Sequence, residues 1–402
     1  MYGLMVGICV FSMIYSKTET LNYKIDGDRL TLTSQQIIED YDMMWSQIEK
    51  EYPAMELAGR KSAKDFKEIK KQYRQNVVLC SSDRVFYNYI KLCLDEFEGY
   101  GHMRIFSTYD YTSAMARYKN EDIPAIKYLF NRIDNEKSRT AYSYKEDKFI
   151  SQVNELSELA LSNNLSTDIL EEGKIALITI SSFDTVFVEK DVPALHKFFQ
   201  NIENYPYCIL DLRGNLGGNT LYWRDGLVRP NINERKETQY SELIKGENCK
   251  DYYLAAGVSL QPIDQFSAKN FSRLNYNDLL DMKYFTTYQN IYDPMFDQPL
   301  FRGKFYVLTD SSNYSAADAF ISFCKQTGFA TIVGERTRGG GVGITPLIYV
   351  LPNSGICYQF SASMGLNKDA SSNEEYGTFP DVICEGTDAL KTCLDMIDRE
   401  LR

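Results

Sequence analysis

Residues 304–328 read KFYVLTDSSNYSAADAFISFCKQTG, and the order of apolar, polar and small residues in this stretch decides the fold. KFYVLT is an apolar run that ends in the turn residues Asp310, Ser311, Ser312 and Asn313, which predicts a buried strand. From Ser315 the pattern becomes a helix opened by small residues and stopped by Gly328. The same alternation extends outward. KIALITI at 174–180 precedes a helix from Asp191 that carries Leu195, Phe198, Phe199 and Ile202, and YCILDL follows at 207–212. FATIVG at 329–334 and a hairpin, PLIYVLP-NSG-ICYQFSAS, at 346–363 come after it, with a last helix near Thr387. Strands alternating with helices predict an α/β core.

Upstream the period is helical. Thr33 and Gln36 form a capping-box pattern, and Ile37, Tyr41, Trp45, Ile48 and Tyr52 recur at three- or four-residue steps before Pro53. A second helix carries Phe66, Ile69 and Tyr73, and a third runs from Ser82 through Phe86, Tyr89, Cys93 and Phe97 to Glu98-Gly99. These three helices make an N-terminal helical domain at 20–105, which delivers the chain into Tyr100-Gly101-His102. Residues 106–172 are polar and mixed, weakly helical near 150–161, and read as a connecting region. Residues 173–402 form the α/β domain, with the Tyr- and Asn-rich segment 219–300 as an irregular insertion near the site. The apolar segment 1–19 is too short to span a bilayer and has no basic residue before Lys17. A signal or anchor and a buried N-terminal strand or helix both stay open for it. Localisation therefore stays open too, with an extracytoplasmic place as one reading and membrane contact confined to this segment.

Composition removes several function classes. Hydrophobic residues make up 44% and charged residues 25% of 402, the mix of a folded globular chain. The 55 acidic against 44 basic residues give a net charge of -11, which repels a phosphate backbone, so nucleic acid is not an expected partner. Nine cysteines without a CxxC pair and only two histidines offer no clustered metal ligands, so neither metal nor other cofactor is expected.

Four constellations can carry chemistry. Asp211-Leu212-Arg213-Gly214-Asn215-Leu216-Gly217-Gly218 follows an apolar strand, and its glycines let backbone N–H groups turn outward toward an anion or oxyanion; a tight strand exit is the alternative. Ser315 stands at a helix N-terminus, where free amides and the macrodipole favour developing negative charge, although a lone serine there is more often a helix cap. His102 sits in a Gly-x-Gly-His turn and is the residue type that activates a serine hydroxyl, whereas His196 lies on a helix face and reads as structural. The acidic run from Glu374 to Asp381 offers a carboxylate to orient an imidazole, or is a surface loop.

Taken in order, these elements resemble the C-terminal processing peptidase (tail-specific protease) family of serine peptidases. The residues that carry the resemblance are GYGHMR at 99–104, DLRGNLGG at 211–218, SAAD at 315–318, GERTRGGG at 334–341 and EEYGTFPD at 374–381. The position 25 residues after Ser315, where Ser-Lys members of the family carry a lysine, is Gly340. The resemblance therefore points to the tricorn-like branch, which takes a histidine from the end of the helical unit. It implies a ClpP/crotonase-like α/β core beside an N-terminal helical domain, and a peptide or protein substrate cleaved through an acyl-enzyme. Ser315 is then the nucleophile, His102 the base and Glu374 the orienting group, with amides of Gly217 or Gly218 and of Ala316 in the oxyanion hole. Gly101 departs from the serine found beside the histidine in tricorn-like members, and 103–172 carries no PDZ signature. Two other readings remain, a catalytically inactive homologue that binds peptides or small ligands and a crotonase-like acyl-CoA enzyme. A free imidazole base implies activity that falls below about pH 6.5.

Overall fold

The computed structural model describes residues 31–119, 121–145, 164–266, 273–384 and 388–402. The segment 1–19 and the weakly helical run at 150–161 lie outside them. Thr33 caps helix α1 (Ser34–Glu51): its Oγ1 accepts from the Gln36 amide, and the Gln36 side chain accepts from the Thr33 amide at 2.9 Å. This closes the expected capping box. Next come α2 (Met55–Ser62), α3 (Phe66–Val77) and α4 (Asp83–Asp95). The additional helix α2 restarts at Met55 after the bend at Pro53, with no side-chain cap at Ala54 to announce it. Glu98 and Gly99 leave α4 with φ of 53° and 75°, and a single 3-10 turn, Tyr100–His102, leads into β1 (Arg104–Ile105). The helices α5 (Thr108–Tyr118), α6 (Pro124–Ile133) and α7 (Glu136–Ala141) then fold back into the same apolar cluster as α1. Their Tyr111, Met115, Leu129 and Ile133 join Ile37, Tyr41 and Trp45 there, together with Leu347, Tyr349 and Phe360.

The remaining elements are β2 (Leu165–Glu171), β3 (Ile175–Ile180), α8 (Thr185–Asn201), β4 (Tyr207–Asp211), α9 (Thr220–Trp223), β5 (Lys236–Ile244), α10 (Lys250–Ala255), β6 (Gln261–Pro262), α11 (Tyr276–Leu279), β7 (Tyr284–Tyr292), β8 (Lys304–Thr309), α12 (Ala316–Thr327), β9 (Ala330–Gly334), β10 (Leu347–Val350), β11 (Cys357–Phe360), β12 (Ser363–Leu366), α13 (Asn373–Tyr376), β13 (Val382–Ile383) and α14 (Ala389–Leu401). The apolar runs pair as neighbours in a six-stranded sheet of order β13-β9-β8-β4-β3-β2, parallel except for β2. Every residue of β4 is buried, as helices on both faces of a parallel sheet require. Helix α8 begins at Thr185, two turns before the expected Asp191. The Asp184 side chain caps it, and Pro193 is carried in its interior rather than at its start.

Residues 219–300 are not irregular. There β5 and β7 pair antiparallel over nine residues, from Lys236↔Tyr292 to Ile244↔Tyr284, in a four-stranded sheet of order β12-β5-β7-β6. Thr, Gln and Tyr on these half-exposed strands blur the apolar alternation that would have announced them. Among the described residues no helix is long and apolar enough to cross a membrane.

Two features bring the distant motifs together. In the third sheet, of order β1-β11-β10, Arg104 pairs with Gln359 and Ile105 with Tyr358, and the Ser361 amide donates to Gly101 O at 2.7 Å. Asp318, in the first turn of α12 and 0% exposed, accepts from Thr337 Oγ1, from Asn373 Nδ2 at 2.8 Å and from the Gly341 amide at 3.1 Å. One carboxylate thus fixes the 337–341 loop and α13 against the helix that begins beside Ser315. Removing it strands two buried donors, on Thr337 and Asn373, each of which costs about 1–3 kcal/mol unpaired, while the Gly341 amide keeps Asn373 Oδ1 at 2.9 Å. Asp318→Ala is therefore expected to lower the unfolding free energy by about 2 kcal/mol or more in urea melts. A loss below about 1 kcal/mol would mean that water replaces the carboxylate without penalty.

Candidate active site

Ser315 joins β8 to α12 at the position of an N-cap, yet its side chain makes no capping bond. Its Oγ lies 3.0 Å from His102 Nε2 instead. The serine has φ 55° and ψ -125°, a left-handed region that disfavours side chains and costs on the order of 1–3 kcal/mol. Its amide donates to Gly339 O at 3.0 Å, and Ala319 N–H donates to its carbonyl at 2.8 Å, so both flanks of the strained residue are held. The Asn313 side-chain amide ties this loop to the glycine turn through Leu212 O at 2.6 Å and Asn215 O at 3.1 Å.

His102 also has a positive φ, 57°, and follows Gly101 at 56°. Gly101 is required there, since a Cβ would lie 2.8 Å from the Tyr52 ring. The second ring nitrogen, Nδ1, lies 3.0 Å from Ser361 Oγ. Burial first, then the Arg104 and Arg338 guanidiniums, push the imidazole down to about 4, so the ring is neutral at pH 7. A ring with this surrounding charges near pH 4, so a fall in activity below about pH 6.5 is not expected from His102 itself.

Glu374 does not touch the imidazole. Its Oε1 accepts from the Gly101 amide at 2.7 Å and from the Tyr314 hydroxyl at 3.1 Å, while the His102 amide donates to that hydroxyl at 3.1 Å. The expectation that this carboxylate meets the ring is thus corrected: Ser361 stands at Nδ1, and Glu374 grips the main chain beside the histidine. Burial, with Asp318 adding to it, raises the Glu374 carboxyl to about 7 against the donors Gly101 and Tyr314 and the charge of Arg338. A cleft of about 370 Å³ bordered by Tyr100, Arg338 and Glu374 opens beside the carboxyl.

The glycine turn lies directly against Ser315. A Cβ on Gly217, whose φ is 100°, would stand 2.7 Å from the Ala316 amide nitrogen and 3.0 Å from Ser315 Cβ. The Gly217 amide itself donates to Asn215 Oδ1 at 2.8 Å, so this residue supplies close approach and not an oxyanion donor, which corrects its sequence assignment. Phe183 bridges to Gly218 in parallel, with hydrogen bonds to Gly217 O and Asn219 N–H, which turns the Gly218 amide away from that strand. Among the described residues the amides of Gly218 and Ala316 have no protein acceptor. Gly340, with φ 72°, leaves its space to Tyr314: a Cβ there would lie 2.3 Å from that ring.

The other groups weighed from sequence lie elsewhere. His196 Nε2 is 2.8 Å from Asp225 O, and Lys325 pairs with Asp381 at 2.5 Å. Among the described residues no group of three or more His, Cys, Asp or Glu is placed to hold a metal ion. Sequence reasoning missed Ser361 and Tyr314, since the pairing of β1 with β11 carries no signature in either strand alone.

A strained serine on an imidazole, where parallel strands give way to a helix, is the layout of a serine hydrolase. The fold is shared with a crystal structure of a candidate peptidase from Parabacteroides merdae ATCC 43184, at 19% identity and TM-score 0.53 over 90% of this chain and 96% of that one. It is shared also with mature CPAF complexed with lactacystin, at 11% identity and TM-score 0.52 over 91% and 97%. No match is found among curated proteins. The family model described as Peptidase family S41 matches residues 174–384, and the chain belongs to that family. It is a serine-type peptidase with a mixed α/β fold.

Raising the Glu374 carboxyl from 4.5 to about 7 ties stability to pH. The folded value lies above the unfolded one, so the contribution of the neutral carboxyl is complete below about pH 4.5 and is lost as pH rises through about 7. Glu374→Gln stays neutral throughout. It is expected to match the parent in unfolding free energy at pH 4.5 and to exceed it by about 2–3 kcal/mol at pH 8.5 in urea melts. Equal stability at both pH values would mean that burial does not hold the carboxyl neutral.

Proposed function

We propose that this peptidase works in the manner of the tricorn-like branch, with Ser315 as nucleophile and His102 as general base. The contact that carries the reading is the 3.0 Å approach of Nε2 to the hydroxyl of a serine that does not cap its own helix. Nε2 takes the Oγ proton as Oγ bonds to the substrate carbonyl carbon, and the carbonyl electron pair moves onto oxygen. Donors for that oxyanion are the Gly218 and Ala316 amides, helped by the N-terminal end of α12. As the tetrahedral species collapses, the C–N bond breaks and the proton on Nε2 passes to the leaving amine. Water then gives its proton to Nε2, attacks the acyl-enzyme, and frees the carboxylic acid as Oγ regains its proton.

For Nε2 to act as base the ring proton must sit on Nδ1, where Ser361 Oγ can accept it. Glu374 acts one step further out, as a positioning residue that fixes the Gly101–His102 backbone. The two glycines that depart from the family pattern, Gly101 and Gly340, are accounted for by packing against Tyr52 and Tyr314. Peptides or proteins are the proposed substrates.

Ser315→Ala is expected to lower kcat by at least about a thousandfold on a peptide substrate and to abolish fluorophosphonate labelling. Undiminished cleavage by that variant would defeat the assignment. The pH profile of kcat/KM should show two acid limbs. One lies near 4, from His102 facing Arg104 and Arg338, and one near 7, from Glu374 facing Arg338, Asp318 and Tyr314. Glu374→Gln should remove only the upper limb. A single limb at about 6.5, unmoved by that substitution, would count against the Glu374 role and leave His102 a base of ordinary pKa.

A further inference from the structure

The geometry points to Tyr314 as a positioning residue of the catalytic centre, one whose hydroxyl couples Glu374 to the His102 backbone and whose ring sets the plane of the imidazole. This rests on the Ser315–His102 reading above. Tyr314 is the residue immediately before Ser315, and two of its parts meet the base. Its hydroxyl accepts from the His102 amide at 3.1 Å and donates toward Glu374 Oε1 at 3.1 Å, with Gly99 O at 3.3 Å as the other acceptor in reach. Its ring centroid lies 4.7 Å from that of His102, tilted by 38°. The phenol is half-buried and its burial raises its pKa well above the ordinary value, so it remains a neutral donor.

The site has a particular need for such a residue. Among the described residues no carboxylate hydrogen-bonds the imidazole, so neither ring nitrogen is held there by a charge-assisted bond, and Ser361 offers a hydroxyl that can donate as readily as accept. The direction of the ring is then left to the His102 backbone, which sits at φ 57°, and to whatever packs on the ring. Tyr314 supplies both constraints. Its own backbone is anchored by a parallel bridge to Gly339 and by the Ala317 amide, which donates to its carbonyl at 3.1 Å. Gly340 completes the argument, because any side chain there would enter the space of the Tyr314 ring. The position at which Ser-Lys relatives carry their base is therefore given over in this chain to the residue that steadies the histidine.

The test is Tyr314→Phe in the full chain, which keeps the ring and removes the hydroxyl. In assays at pH 8.5, where Glu374 is ionised, a hydrogen bond to the charged carboxylate is worth about ten- to a hundredfold in rate, so kcat is expected to fall by that factor with KM within about twofold of the parent. The double variant Tyr314→Phe/Glu374→Gln should be no slower than the slower single one, because both act through one network. A kcat within twofold of the parent, or penalties that multiply in the double variant, would overturn the role. Gly340→Ala guards against a folding artefact: it retains the hydroxyl and displaces the ring, and a loss confined to kcat is expected, whereas full activity would also overturn the proposal. Fluorophosphonate labelling of the parent separates the two levels. Labelled parent with an unaffected Tyr314→Phe sinks the tyrosine alone, and an unlabelled parent sinks the Ser315–His102 assignment together with it.

Discussion

One hydrogen bond, between His102 Nε2 and Ser315 Oγ, closes a loop of 213 residues, and the architecture around it serves to keep its two ends in register. Neither end is relaxed. Both residues hold a positive φ without being glycine, which survives only where the surroundings over-determine the conformation. On the serine side this is done by the parallel strand β8, the buried Asp318 and the Asn313 amide. On the histidine side it is done by the β1–β11 pairing, by the contact of Ser361 N–H with Gly101 O, and by the grip of Glu374 on the Gly101 amide. The strain is local; the restraint is drawn from three separate parts of the chain.

The electrostatics of the pair follow from what does not touch the ring. A carboxylate at Nδ1 would stabilise an imidazolium and raise its pKa. Here a neutral hydroxyl stands there, and burial first, then two guanidiniums, disfavour the charged form down to about 4. Such a base is unprotonated across the physiological range but gains less from accepting a proton than one paired with an anion. Fixed geometry has to make up the difference, and for that reason the second layer of Tyr314, Glu374 and Ser361 matters as much as the pair itself. The acid that titrates near neutrality is Glu374, one layer removed from the chemistry.

Much of this was legible in the sequence because the decisive signals are local. Apolar runs bounded by turn residues gave the strands of the six-stranded sheet, and the strand-turn-small-residue pattern at 304–328 located Ser315 at a helix start. The order of the five motifs, together with Gly340, favours His102 over a lysine. What stayed hidden was non-local. That Ser361 faces His102 depends on the pairing of residues 104–105 with 358–359, which no periodicity encodes. The distance between Glu374 and the ring, and the engagement of the Gly217 amide by Asn215, depend on side-chain packing. The strands β5 and β7 escaped because Tyr, Thr and Gln suit a half-solvated sheet as well as they suit a loop.

With only two histidines in the chain, the account can be read directly from their ring nitrogens. Nitrogen-15 NMR of histidine-labelled protein, assigned with a His196→Gln variant, reports which nitrogen of His102 carries the proton and where the ring charges. The account requires a neutral ring at pH 7, protonated on Nδ1 with Nε2 bare toward Ser315, and a titration near pH 4. A proton on Nε2 at pH 7, or a titration at the ordinary value of about 6.5, would contradict it.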